Sequence, residues 1–211
     1  MNRPRGRARR PLAARVAFAL ALTLAALLVP ALADSWTYHH LYQRNLYDLD
    51  WARMLRVVGS WPSWLIAALA LWLHQRGADG AGRRAMLLAL SPAAGGILCE
   101  IVKLLIRRER PETGDGAWIF REWSDQPLST AGLATPSSHT MVAFAGATMA
   151  ARLFPRARWL FYTLAAGCGV TRVLAHAHFV SDVTFGALLG WAVAWGLWLR
   201  FGPPGGRPRP A

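Results

Sequence analysis

The sequence predicts an all-α polytopic membrane protein of about six transmembrane helices, with a functional site at the outer helix ends. Three observations lead there: the apolar content, the lengths of the apolar stretches, and the sidedness of the cations. Hydrophobic residues make up 54% of the 211 residues and charged ones only 17%, with 11 Trp. Mean hydropathy is positive, at +0.24. Such a chain is too apolar and too sparsely charged to be disordered over most of its length. Its two cysteines, Cys99 and Cys168, both sit inside apolar runs, which excludes a disulfide scaffold.

A helix that crosses a bilayer needs about 20 mostly apolar residues. Candidate stretches lie at 12–33, 57–74, 85–106, 139–154, 157–174 and 183–201. The first, second and last are the most apolar. The third carries Glu100 and Lys103, and the fourth is short and opens on the polar Pro136-Ser137-Ser138-His139. Turn and interface character marks 75–84, the charged 107–138 and the Pro-Arg-Ala-Arg turn at 155–158. The chain therefore divides into a basic N-terminal segment 1–11, one membrane domain 12–202, and a Gly- and Pro-rich tail 203–211 expected to be disordered.

The net charge of +13 and a pI near 11.5 would suit a nucleic-acid binder. The distribution decides otherwise. With the N-terminus inside, 15 of the 24 cations share the inner side with a single acid, Asp79, while nine cations share the outer side with ten acids. Lys and Arg concentrate in cytoplasmic loops, so the basic excess is a topology signal and calls for no polyanionic partner. Both termini are expected in the cytoplasm and the chain in the cytoplasmic membrane. Ala31-Leu32-Ala33 before Asp34 also resembles a signal-peptide cleavage site. Residues 16–33 are longer than a usual signal core, so a retained first helix is expected.

Ionisable groups at membrane depth or at helix ends are costly and mark functional sites. Here they form three clusters, all on the outer side: Lys103 to Pro111, Pro136 to His139, and Arg172 to Asp182. His178 and Asp182 are four residues apart, a spacing that shares one helix face. The carboxylate can then hold one imidazole nitrogen and free the other, or the pair can simply cap a helix end. Lys103 and Arg110 are seven apart, about two turns, with Pro111 stopping the helix and Glu100 a partner for Lys103. Two such cations with Arg172 suit a phosphate. Arg107 and Arg108 read better as a solvated or headgroup-facing helix end. Ser137 and Ser138 precede a helix start, an anion site or an ordinary cap, and His139 is either a general acid or incidental to it; taken alone, this cluster reads as an ordinary cap.

Together, Lys103-x6-Arg110-Pro111, Pro136-Ser-Ser-His139 and Arg172-x5-His178-x3-Asp182 resemble the type 2 phosphatidic acid phosphatase superfamily in order and internal spacing. Ser138 stands where that family usually has Gly, and Thr171 where it has Ser. The resemblance implies His178 as the nucleophile that becomes a phosphohistidine, oriented by Asp182. It implies His139 as the acid that protonates the leaving oxygen, and Lys103, Arg110, Arg172, Ser137 and Ser138 as holders of the phosphoryl oxygens. No metal or other cofactor is implied. One carboxylate beside three cations is likewise not the oxygen cluster that Mg²⁺ needs. His176, two residues before His178, stays outside the catalytic set.

The implied activity is that of an integral membrane lipid phosphatase working at the outer face. Its expected substrates are undecaprenyl diphosphate, phosphatidic acid or phosphatidylglycerol phosphate, met laterally from the bilayer. Trp118, Phe120 and Trp123 in the long outer loop suit the interface. The alternatives are lipid A dephosphorylation, phosphoryl transfer to another lipid, and a non-catalytic membrane scaffold.

Overall fold

The computed structural model describes residue 25 and residues 28–203. The basic N-terminal segment, most of the expected span 12–33 and the tail from 204 lie outside the described residues. Residues 28–40 are helical and form α1. There follow α2 (Asp50–Val57), α3 (Trp61–His74), α4 (Ala81–Ile106), α5 (Ser138–Leu153), α6 (Arg158–Leu174) and α7 (Val180–Phe201). Among the described residues there is no β-sheet, only isolated bridges pairing Arg108 with Phe120 and Glu109 with Leu133 in the long loop.

Helix α5 is the axis of the bundle. It packs against α4, α6 and α7, while α3 lies on α4 and α2 on α6. Its Met141, Ala143, Ala145, Ala147 and Met149 are completely buried, so the shortest of the expected long spans is also the one shielded from surroundings on nearly every side. Small residues make this possible, because they let helix backbones approach closely. A Cβ on Gly186 of α7 would stand 2.8 Å from the carbonyl of Ser137, and one on Gly190 would stand 2.3 Å from that of Met141. Across the bundle, Trp64 of α3 lays its indole into the gap left by Gly146 and donates its Nε1–H to Val58 O at 2.8 Å.

The outward faces are apolar. Ile66, Leu69, Ile97, Leu105, Trp159 and Val170 are all exposed, a pattern that suits lipid rather than water. Among the described residues, α4 and α7 are long and apolar enough to cross a membrane. The α2–α3 pair makes a third if it counts as one span, although it bends by 69°. The expected span 57–74 is therefore interrupted: Val57 ends α2, and α3 begins only at Trp61. Ser60 and Pro62 start the new helix at a natural break, since proline has no N–H to lose in a first turn.

Candidate active site

Helix α4 stops at Ile106, not at Pro111. Arg107 closes it in the left-handed conformation (φ 59°), its N–H bonded to Lys103 O at 2.8 Å. Lys103 and Arg110 thus do not share a helix face, and Arg110 is carried outward on extended backbone. The expectation that Arg107 and Arg108 are a solvated helix end is overturned as well, since both are buried. Arg107 folds under the outer loop and donates to the carbonyls of Arg121, Glu122, Asp125 and Pro127. A guanidinium has five N–H donors in a fixed fork, and here it ties together a loop whose carbonyls no sheet satisfies.

Arg108 turns the other way, into the bundle. It donates to Asp182 Oδ1, to Thr135 Oγ1 at 2.6 Å and to Ser181 Oγ at 2.8 Å. Its charge also lies 3.7 Å from Asp34 Oδ2. Thr135 donates to Asp182 Oδ1 too, and the N–H of Phe179 donates to Oδ2 at 2.8 Å. Asp182 is thus a completely buried carboxylate held by three donors. Asp34, on α1, accepts from the N–H and hydroxyl of Ser181 and from the indole of Trp118.

His178 precedes α7, one residue before its N-cap Phe179. It meets Asp182 because that residue caps the helix start, not because both lie on a helix face. Its Nδ1 is 3.8 Å from Asp182 Oδ2, a small rotation short of a hydrogen bond, which leaves Nε2 on the far side of the ring. Burial pushes the imidazole down to about 4 although Asp182 pulls upward; the charges of Arg172 and Lys103 add to the depression. At neutral pH His178 is an uncharged imidazole, the nucleophilic form.

Arg172, in the last turn of α6, is buried and donates from Nη1 to Tyr47 Oη at 2.7 Å, while its Nε has no partner. Lys103 is buried with Nζ 3.7 Å from Glu100 Oε1. Glu100 also accepts from Ser138 Oγ at 2.9 Å, so the hydroxyl that replaces the family's glycine binds a carboxylate. Thr171, the other departure, donates to Cys168 O at 2.8 Å. Ser137 is buried, and its N–H donates to Asp182 O at 3.1 Å, which occupies the group expected to hold phosphate. The first-turn N–H groups of Ser138 and His139 have no acceptor within their own helix. His139 lies among the charges of Arg172, Arg56 and Lys103, and Arg110 acts on Arg172 from the exposed side. The three clusters therefore meet at one end of the bundle. His176 lies apart, its ring 4.2 Å from those of both Tyr38 and Tyr42.

Sequence spacing did not single out Arg108, Thr135, Asp34, Tyr47 or Arg56. Thr135 adjoins the Pro136 motif and Arg108 lies inside the first cluster, so proximity to a motif was the signal available for those two. Among the described residues no three His, Cys, Asp or Glu side chains are gathered as metal ligands.

A helical bundle that buries a His–Asp pair beside several cations at one end is an arrangement suited to an anionic group. The chain belongs to the PAP2 superfamily, whose family model matches residues 84–203, more than half of its length. The kinship read from the three motifs is thereby borne out. The chain is 37% identical over 99 residues to a lipid A 1-phosphatase of Rhizobium etli, covering 46% of this chain and 41% of that protein. It is 36% identical over 97 residues to a lipid A 1-phosphatase of Rhizobium johnstonii, covering 45% and 38%. The chain thus matches less than half the length of these relatives. No solved structure matches it.

Proposed function

We propose that the chain is a membrane lipid phosphatase with six spans and its active end on the outer face, acting through a phosphohistidine on His178. The observation that carries this is the buried His178–Asp182 pair set among Lys103, Arg172 and His139. Nε2 of His178 attacks phosphorus, and the bridging P–O bond breaks. His139 gives the departing oxygen its proton. Asp182, facing Nδ1, stabilises the imidazolium that forms, and stays ionised because Arg108 and Thr135 hold it. Lys103, Arg110, Arg172 and the first-turn N–H groups of α5 hold the phosphoryl oxygens, where charge stabilisation is the main source of rate. Water, with His139 as base, then releases phosphate and restores the imidazole. The carboxylates here are already engaged, Glu100 by Lys103 and Ser138, and Asp182 by Arg108 and Thr135, which supports a metal-independent reaction.

The candidate substrates are undecaprenyl diphosphate, phosphatidic acid and phosphatidylglycerol phosphate. The names of the two Rhizobium relatives favour a second reading, a lipid A phosphate. Phosphate release from a panel of these lipids by detergent-purified protein is the direct measurement. The roles of the histidines separate on leaving-group basicity. His139→Ala is expected to lose phosphatidic acid hydrolysis, by a factor of about 10²–10⁴, yet to recover a burst on p-nitrophenyl phosphate. His178→Ala is expected to lose both, and equal losses for the two variants on both substrates would show the roles misassigned. EDTA is expected to leave turnover unchanged; a loss that Mg²⁺ restores would end the metal-free mechanism.

A further inference from the structure

Beside His139 lies a cavity of about 370 Å³ that the phosphoryl site does not use, lined by Arg53, Arg56, Val57, Ser60 and His139. The size falls in the range of small-ligand pockets. Arg53 and Arg56 are three residues apart on α2, so they share one face of that helix. Arg56 is further placed by its guanidinium stacking 4.6 Å over the ring of Tyr47. Tyr47 in turn is bonded to Arg172, so the cavity and the phosphoryl-binding cations rest on one shared ring. Ser60 opens α3 without using its hydroxyl to cap it. Arg53 is largely exposed and pairs with Asp50 at 2.5 Å, and no acid is among the residues that line the cavity itself.

The position matters because His139 is the proposed acid for the leaving oxygen. A cavity that shares His139 with the reaction holds whatever is attached to that oxygen. For a simple lipid monoester that is an uncharged glycerol or alkyl chain, which offers the guanidinium groups of Arg53 and Arg56 no anion to bind. For a diphosphate it is the second phosphate, whose oxygens match the guanidinium fork.

We propose that Arg53, Arg56 and Ser60 form a leaving-group anion subsite that selects lipid diphosphates over lipid monophosphates. This rests on the phosphatase reading of the same site. In the step concerned, the bond from His178 Nε2 to the terminal phosphorus forms and the bridging P–O bond breaks. The bridging oxygen departs on the lipid monophosphate with the proton of His139, and the arginines neutralise the remaining charge.

The matched pair farnesyl diphosphate and farnesyl monophosphate tests it, with detergent-purified full-length protein. The wild type is expected to show kcat/KM at least tenfold higher for the diphosphate. In the double variant Arg53→Ala/Arg56→Gln, which keeps a planar group over Tyr47, that ratio is expected to fall at least tenfold. An unchanged ratio, whether both activities fall or neither does, overturns the subsite, as does a wild type that prefers the monophosphate. If the wild type hydrolyses neither, the phosphatase reading fails separately. Calorimetry with inorganic pyrophosphate and orthophosphate then reads the subsite directly: the double variant is expected to weaken pyrophosphate at least tenfold more than orthophosphate, and equal weakening overturns the proposal.

Discussion

Arg108 touches two buried carboxylates at once, Asp182 and Asp34, and through them couples α1 to the start of α7. Removing one member of a buried ion pair leaves an uncompensated charge, which costs about 3–5 kcal/mol. Arg108→Ala is therefore expected to lower thermal stability by that order and to abolish turnover. Arg108→Lys keeps a charge but not the fork that reaches Thr135, Ser181 and Asp182 together, so it should recover folding more than activity; thermal unfolding followed beside phosphate release separates the two. His178 carries a pH signature. Burial depresses its pKa to about 4, against about 6.5 for a free imidazole. The neutral imidazole thus persists well below pH 6.5, and under the proposed mechanism the burst amplitude is expected to fall only as pH drops through about 4. The sign for stability agrees: the folded protein resists protonation, so His178 contributes fully above pH 6.5 and loses its contribution as pH falls towards 4. A burst that titrates near 6.5 would show that His178 is solvated rather than buried.

At the scale of elements, the contact between α5 and α7 sets the spacing of the site. Gly186 lies against the backbone of Ser137, and Gly190 against that of Met141. Because Ser137 also donates to Asp182 O, the glycine contact brings the N-terminal turns of both helices together, and with them His139 and His178. Gly190→Leu has no room and is expected to destabilise the bundle by about 1–3 kcal/mol or more. Gly186→Ala is expected to cost turnover beyond its stability loss, because it pushes apart the turns that carry His139 and His178. Gly196, with open space around it, is the control: Gly196→Ala should be neutral or slightly stabilising, since alanine suits a helix interior better. Thermal unfolding and turnover measured on all three decide whether spacing or mere packing is at stake.

For the whole molecule, the sidedness of the cations predicts that the loop 107–138 faces outward and the turn 75–80 inward. A maleimide that cannot cross the membrane is expected to label Leu128→Cys but not Ala78→Cys, with little background because Cys99 and Cys168 are buried; the reverse pattern would invert the topology. Much of this protein was legible in the sequence. Apolar length located α4, α6 and α7 to within a few residues, since lipid-facing helices must be apolar along their whole length. The motif spacing brought out Lys103, His139, Arg172, His178 and Asp182, which the fold gathers at one end of the bundle. What the sequence could not reveal was direction. A pair of arginines at a helix end reads as solvated until a left-handed residue at 107 ends the helix and sends one guanidinium under the loop and the other into the bundle. Likewise Asp34 and Arg56 lie far from every motif in the chain and reach the site only because α1 and α2 fold over it. Local pattern and hydropathy determined the helices and the candidate site residues; only long-range packing decided which cations are buried, what Asp182 is bonded to, and which walls enclose His139.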